Sequence, residues 1–193
     1  PYLENDKGYF LLLEASQVDW AGHGNDIANA MAEMHDLAKT MEYLHDYVKK
    51  HPNTLVILTA DHSTGGLTIG ADGDYRWEPQ YLKNFSASIP KMSENINQQA
   101  DKVAYVEATF GFTINDEAKA AVRVINSDME ARPIQVVLKS IVDKQTNTGW
   151  TTSGHTGIDV QVFAFGPGAK RFEGNQNNTD IAFKIFDLLE QGR

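Results

Sequence analysis

Short apolar runs that end at polar residues recur along the chain. Residues 10–13 and 54–59 are nearly continuous apolar runs, which is typical of strands covered on both faces of a parallel sheet. Between them, residues 25–49 repeat apolar side chains every three or four positions and predict an amphipathic helix that stops before Pro52. The succession of strand, helix and strand predicts a βαβ unit whose two strands are parallel.

The pattern changes between residues 72 and 147, where polar, irregular stretches alternate with short apolar runs. We interpret residues 72–147 as an inserted lobe, and residues 1–71 and 148–193 as the two parts of an α/β core. The aromatic residues expected inside this lobe are Trp77, Tyr81, Phe85, Phe110 and Phe112. The segment between His62 and His155 is far longer than the roughly 30 residues of one βαβ unit. The extra length supports an inserted lobe.

The alternating run at residues 160–165 predicts another strand. Glu14 and Asp61 follow their predicted strands, whereas His155 precedes this one by only a few residues. If His155 is to reach the same edge of the sheet, the last strand must run antiparallel to the other two, which mixed sheets allow.

Composition and net charge argue against some classes of binding partner. The 193 residues are 41% hydrophobic, enough for a substantial core, and carry a formal net charge of −9. This charge argues against binding to nucleic acid or to an anionic membrane. There are no cysteines, and no run approaches the roughly 18 apolar residues of a membrane helix. Because the sequence begins without Met, we expect a processed or truncated piece of a longer protein.

Potential metal ligands cluster just after the predicted strands and near the C-terminal loop. They are Glu14, Asp19, His23, Asp61, His62 and His155. Histidine together with carboxylate suits Zn²⁺, whereas oxygen ligands alone suit Mg²⁺. A closely spaced metal pair can clamp the attacking and leaving oxygens of a phosphoryl group. These residues therefore indicate a candidate metal site, and for the stretch around Asp19 the alternative is a loop of ordinary polar residues.

Three motifs carry a resemblance to a known family. They are Glu14-Ala-Ser-Gln-Val-Asp19-Trp-Ala-Gly-His23, Thr59-Ala-Asp61-His62-Ser-Thr-Gly-Gly and Ser153-Gly-His155-Thr-Gly. In this order they resemble alkaline phosphatase, which hydrolyses phosphate monoesters through a phosphoserine intermediate and a zinc pair. The resemblance implies a three-layer α/β/α sandwich around a mostly parallel sheet.

The resemblance also implies roles for individual residues. Asp19, His23 and His155 would hold the first Zn²⁺. Asp61 and His62 would hold the second Zn²⁺, and Glu14 would ligate Mg²⁺. Trp20 stands where members of the family approach the phosphate, so it would contribute to substrate binding.

One part of the family pattern is absent. The nucleophilic serine of the family lies in an Asp-Ser-Ala context, and this sequence contains no such context. The chain resembles the C-terminal portion of an alkaline phosphatase, so no catalytic nucleophile is assigned here and we expect it to be inactive by itself. Its implied partners are phosphate monoesters and the missing N-terminal portion of the same protein. The resemblance implies a periplasmic or secreted location and leaves a homodimer open.

Two alternatives remain open from the sequence. A phosphodiesterase, sulfatase or phosphoglycerate mutase of the same superfamily would share the Asp-His doublet but differ around Asp19 and His23. A non-catalytic metal-binding or assembly module would carry the ligands without turning over a substrate.

Overall fold

The computed structural model describes residues 8–191 and combines helices with short strands. The α-helices in this part of the chain are α1 (Ser16–His23), α2 (Ile27–Lys50), α3 (Ile89–Asn95), α4 (Lys102–Phe110), α5 (Asp116–Arg123), α6 (Ala131–Thr146) and α7 (Asn178–Gln191). Its strands are β1 (Val56–Leu58), β2 (Ser63–Thr64), β3 (Leu67–Ile69), β4 (Thr148–Trp150), β5 (His155–Thr156) and β6 (Phe163–Phe165). The strands pair as β1 with β6, β2 with β5 and β3 with β4. The predicted mixture of helix and sheet is confirmed. None of the helices within residues 8–191 has both the length and the apolar content needed to cross a bilayer.

The chain divides into two compact units, which we describe separately. The first unit comprises Pro1–Ala15, Asp36–Ser63 and Gly157–Arg193, and the second comprises Ser16–His35 and Thr64–Thr156. The division of the sequence into core (1–71 and 148–193) and inserted lobe (72–147) stays a prediction. Residues 1–7 and 192–193, which the predicted core includes, lie outside the described range.

In the first unit, β1 pairs antiparallel with β6, and Val56 lies opposite Phe165. The two strands lie within the apolar runs predicted at residues 54–59 and 160–165. The predicted antiparallel direction of the last strand is therefore confirmed relative to the strand within residues 54–59, and not relative to residues 10–13, which form no strand.

Residues 10–13 differ from the prediction. They form no strand, and all four are more than half exposed, with Leu12 at 77%. A continuous apolar run becomes a buried strand only where other strands pair beside it and helices cover both faces. Among residues 8–191, no strand pairs with this run.

The predicted βαβ unit with two parallel strands is therefore wrong for the described chain. A mostly parallel sheet is not confirmed either, because the ladders β1–β6 and β3–β4 are both antiparallel. The three-layer arrangement stays a prediction.

The second unit is organised around one apolar cluster to which α2, α3, α4, α5 and α6 contribute. Its buried members are Ile27, Leu82, Ile89, Met92, Ile96, Val106, Phe110, Ile114, Val122, Ile125, Ile134, Leu138, Ile141 and Val142. Phe110 is fully buried, and its ring lies 4.9 Å from that of Phe85 and 5.4 Å from that of Phe112. Trp77 and Tyr81 are partly buried.

Asp26 is a buried residue whose carboxylate caps the starts of α2 and α3, both of which lie in the second unit. Its Oδ1 accepts from the backbone N–H of Asn29 in α2 at 3.1 Å, and its Oδ2 accepts from the backbone N–H of Ile89 in α3 at 2.8 Å. The first N–H groups of a helix have no partner within it, so one side chain satisfies a donor of each. Burial raises the pKa of Asp26, and the N–H groups of Ile89 and Asn29 oppose that shift.

Candidate metal centre

Helix α1 places two of the predicted ligands on one side. Asp19 and His23 are four residues apart, so in a helix they lie one turn above each other. Oδ2 of Asp19 lies 3.4 Å from Nε2 of His23. The side chains are 36% and 41% exposed, respectively, so an ion can reach both from solvent.

His155 completes a cluster of three with this pair. Its Nε2 lies 3.3 Å from Nε2 of His23, and the ligand atoms of Asp19, His23 and His155 all lie within 4.8 Å of one another. A tetrahedral Zn²⁺ with bonds of about 2.0–2.1 Å holds its ligand atoms about 3.3–3.4 Å apart. Two of the separations match this value, and two imidazoles with one carboxylate are a zinc-type donor set. These residues therefore fit a zinc ion.

A backbone carbonyl orients the ring of His23. Nδ1 of His23 lies 2.6 Å from the carbonyl oxygen of Ser153. A carbonyl can only accept, so Nδ1 carries the proton and Nε2 of the neutral ring has its lone pair available. Such a second partner fixes the tautomer and direction of a metal-binding histidine.

Thr64 orients the carboxylate of Asp19. Its Oγ1 donates to Oδ1 of Asp19 at 2.5 Å. Oδ2, the other carboxylate oxygen, is the one that lies close to His23. The hydroxyl thus holds one oxygen and leaves the other directed at the cluster, as outer partners of metal-binding carboxylates do.

Glycine at position 65 lets the segments of the site come together. Gly65 has φ of +84°, and a Cβ there would lie 2.7 Å from the ring of Trp150 and 2.8 Å from the carbonyl oxygen of Gly22. No side chain fits such distances. The close packing brings the end of α1, the loop at 64–66 and the loop before His155 into backbone contact.

The predicted second-zinc ligands lie in the first unit. Nε2 of His62 is 3.3 Å from Oδ2 of Asp61, and the backbone N–H of His62 donates to Oδ1 of Asp61 at 3.2 Å. Asp61 is 85% exposed and His62 is 27% exposed. Glu14, the predicted magnesium ligand, also belongs to the first unit and is exposed. The metal roles of these three residues stay predictions.

Trp20 lies in α1 directly after Asp19, and 64% of it is exposed. Its predicted role toward substrate is untested and stays a prediction.

Sequence reasoning missed the residues that support the ligands. Thr64 stands inside the motif around Asp61 and His62, so its position offered a signal, but its bond to Asp19 spans 45 residues. Asn25 follows the Gly at the end of α1, which is a common place for a residue with positive φ. Ser153 acts through its backbone and leaves no signal in the side-chain sequence.

Comparison with known proteins identifies the family. The family model described as alkaline phosphatase matches residues 3–191. The chain therefore belongs to the alkaline phosphatase family.

Individual relatives agree with this assignment. Alkaline phosphatase 3 of Bacillus subtilis is 43% identical over 97% of this chain, which corresponds to 42% of that protein. The crystal structure of a cold-active alkaline phosphatase from a psychrophilic Shewanella is 46% identical, with a TM-score of 0.88 over 96% of this chain and 46% of the other. A variant of the alkaline phosphatase from the Antarctic bacterium TAB5, solved with Mg bound, is 24% identical with a TM-score of 0.52 over 92% of this chain and 34% of that one, which shows the fold alone. The chain spans less than half the length of these relatives.

Proposed function

We propose that this chain is the zinc-binding part of a phosphatase that hydrolyses phosphate monoesters. The observation that carries the proposal is the cluster of Asp19, His23 and His155, whose ligand atoms lie within 4.8 Å of one another, with two of the separations at 3.3 and 3.4 Å as expected around one tetrahedral ion. Membership of the alkaline phosphatase family supplies the reaction class.

The remaining ligands complete the proposal. Asp61 and His62 contribute to a second Zn²⁺ site, and Glu14 contributes to a Mg²⁺ site. The adjacent positions of Asp61 and His62 at the end of the segment that follows β1 support a shared role. Trp20, exposed beside Asp19, contributes to phosphate binding.

The zinc ions, when bound, supply Lewis-acid polarisation of the phosphoryl group. The protein residues supply orientation. Thr64 holds Oδ1 of Asp19, and the carbonyl of Ser153 keeps the proton of His23 on Nδ1, so that Oδ2 and Nε2 are presented to the same point.

The nucleophile comes from a different part of the enzyme. Because the chain contains no Asp-Ser-Ala context, we propose that it is inactive by itself and acts with the N-terminal portion of the same protein. The exposed apolar side chains of the first unit, including residues 10–13, Phe163 and Phe183, support this partner. Each one buried contributes roughly 1.5–3 kcal/mol, against which the cost of association must be set. The whole enzyme is proposed to be periplasmic or secreted and to assemble as a homodimer.

Zinc titration tests the metal site. We expect calorimetry to show one strong site in the chain, and His155→Ala to weaken or abolish it because one of three ligands is lost. His35→Ala is the matched control, since His35 is exposed on α2 and lies outside the cluster. Affinity should also fall in acid, because histidine must be neutral to bind a metal. Equal zinc affinity in the wild type and His155→Ala would exclude this site.

An activity assay tests the need for a partner. The purified chain should hydrolyse an aryl phosphate several orders of magnitude more slowly than a complete relative, since the nucleophile is missing. Adding the portion of the Shewanella enzyme that this chain does not match should restore activity. Turnover by the chain alone at about 1–10³ s⁻¹ would contradict the proposal.

The missing Asp-Ser-Ala context also leaves a second candidate function. If the chain binds zinc but neither partner nor substrate, it is a non-catalytic metal-binding module. The missing Asp-Ser-Ala context favours this reading for the isolated chain. The restoration assay separates it from the first proposal.

A further inference from the structure

The loop before His155 is held by three successive backbone carbonyls. The carbonyl of Thr152 accepts from the side chain of Asn25 at 2.8 Å, and that of Ser153 accepts from the ring of His23 at 2.6 Å. The carbonyl of Gly154 accepts from the backbone N–H of Gly65 at 2.8 Å. Contacts from outside the loop therefore help to fix the backbone just before His155.

Asn25 connects this loop to the end of α1. Its Nδ2 donates to the carbonyl of Thr152 and also to the carbonyl of Gly22 at 3.1 Å. An amide nitrogen has two protons, so the two bonds use both. Gly22 directly precedes the ligand His23, and Thr152 lies three residues before the ligand His155. One side chain thus links the segments that carry two of the three ligands.

Asparagine is suited to this position for two separate reasons. The backbone of Asn25 has φ of +48°, a left-handed conformation that glycine and asparagine adopt most readily. The two carbonyls require a side chain with two donors. Glycine meets the first requirement but has no amide. Aspartate has the same shape but would direct a carboxylate at two carbonyl oxygens.

We propose that Asn25 is a positioning residue of the metal centre, which holds His155 within bonding distance of an ion bound by His23 and Asp19. This inference rests on the proposed zinc site. Asn25 contacts no metal itself, and its effect passes through the backbone of the loop at 152–154. Substitution of such an outer residue typically lowers metal affinity 10–100-fold.

Two substitutions separate the amide from the backbone conformation. Asn25→Gly keeps the left-handed conformation and removes both donors, and Asn25→Asp keeps the shape and removes both donors. We expect each to weaken zinc binding about 10–100-fold. The probe is Zn²⁺ alone, followed through the ring NMR signal of His23 so that the site itself is observed among the six histidines of the chain. Thermal melting of the zinc-free variants shows whether either one disturbs the fold.

A double-mutant cycle with His155→Ala distinguishes positioning from general destabilisation. If Asn25 acts by placing His155, adding Asn25→Gly to His155→Ala should change the remaining zinc affinity by less than about threefold. An equal loss in both backgrounds would overturn the inference, as would wild-type affinity in both Asn25 variants. Failure of the wild type to bind zinc would instead overturn the proposed function, and this inference with it.

Discussion

The two units use their apolar side chains differently. Of the sixteen buried apolar residues in the described chain, all but Phe172 belong to the second unit. In the first unit, residues 10–13, Phe163 and Phe183 are more than half exposed. The second unit satisfies its apolar pattern with its own helices, whereas the first presents a pattern that other surfaces must cover.

The difference follows from the kind of structure that each unit contains. The helices of the second unit pack their apolar residues against one another around one cluster. Within residues 8–191, the sheet of β1 and β6 has two strands, and such a pair gains stability only from further strands or covering helices. The chain matches 42% of the Bacillus relative, so much of the family fold lies in sequence that it does not match.

The largest expected effect compares one phenylalanine from each unit. Phe110→Ala should lower the free energy of unfolding by about 3–5 kcal/mol, because a buried ring is lost and a cavity remains. Phe183→Ala, at a residue that is 64% exposed, should change it by about 0.5 kcal/mol or less. Urea unfolding of both variants gives the comparison.

The change in free energy of unfolding in Phe183→Ala tests whether the exposed apolar side chains of the first unit are covered in solution. A loss above about 2 kcal/mol in Phe183→Ala would mean that this side chain is buried in solution, for instance by association of the chain with itself. Light scattering on the same sample would then show an assembly larger than the monomer.

Zinc should sharpen the contrast between the units. When the free Zn²⁺ concentration is 100 times the dissociation constant, binding stabilises the folded state by about 2.7 kcal/mol. Hydrogen exchange should therefore slow in α1 and in the loops at 64–66 and 151–155. The β1–β6 ladder should respond less at zinc concentrations that fill only the strongest site. Strongest protection in β1 and β6 would place that site in the first unit instead.

The smallest effect concerns the pH dependence of the second unit. Burial raises the pKa of Asp26 above the ordinary aspartate value of about 3.9, so the folded state holds this proton more tightly than the unfolded state. The stability that Asp26 contributes is therefore full below about pH 4 and is lost as the pH rises through the raised pKa. Nearby Asp143 acts in the same direction.

The Asp26→Asn variant isolates this effect. We expect the free energy of unfolding of the wild type, measured with urea, to fall relative to that of Asp26→Asn as the pH rises from about 4 to neutral. The variant also loses a hydrogen-bond acceptor, which shifts its free energy of unfolding by a constant amount at every pH. Parallel stability curves across this range would show that Asp26 has the same pKa in both states.

Local patterns were sufficient to predict several elements. The sequence named Asp19 and His23 as candidate ligands, and their spacing of four residues places them on one face of α1. Asparagine is a favoured residue directly before a helix, and the side chain of Asn115 caps α5 by accepting from the backbone N–H of Ala118 at 2.8 Å. The direction of β6 followed from the short link after His155, because chain length limits how far a segment can reach.

Other features depend on partners distant in the sequence. The apolar run at residues 10–13 is typical of a buried strand. Its own sequence does not show whether neighbouring strands and covering helices are there to bury it. The bonds from Asn25 to Thr152 and from Thr64 to Asp19 span 127 and 45 residues. Asn, Thr and Gly have many uses at the surface, so their roles in this site become visible only once the segments are together.

The carboxylate that Asp26 shares between two helices links the site to the order of folding. Ile89 lies 63 residues after Asp26, so forming this contact costs the closure entropy of a long loop. Removing water from the carboxylate before Ile89 arrives would leave an acceptor buried without a partner. The start of α2 and the start of α3 are therefore buried in the same event. We therefore expect His23, three residues before Asp26, to reach its final place with this long-range closure rather than with the formation of its own short helix.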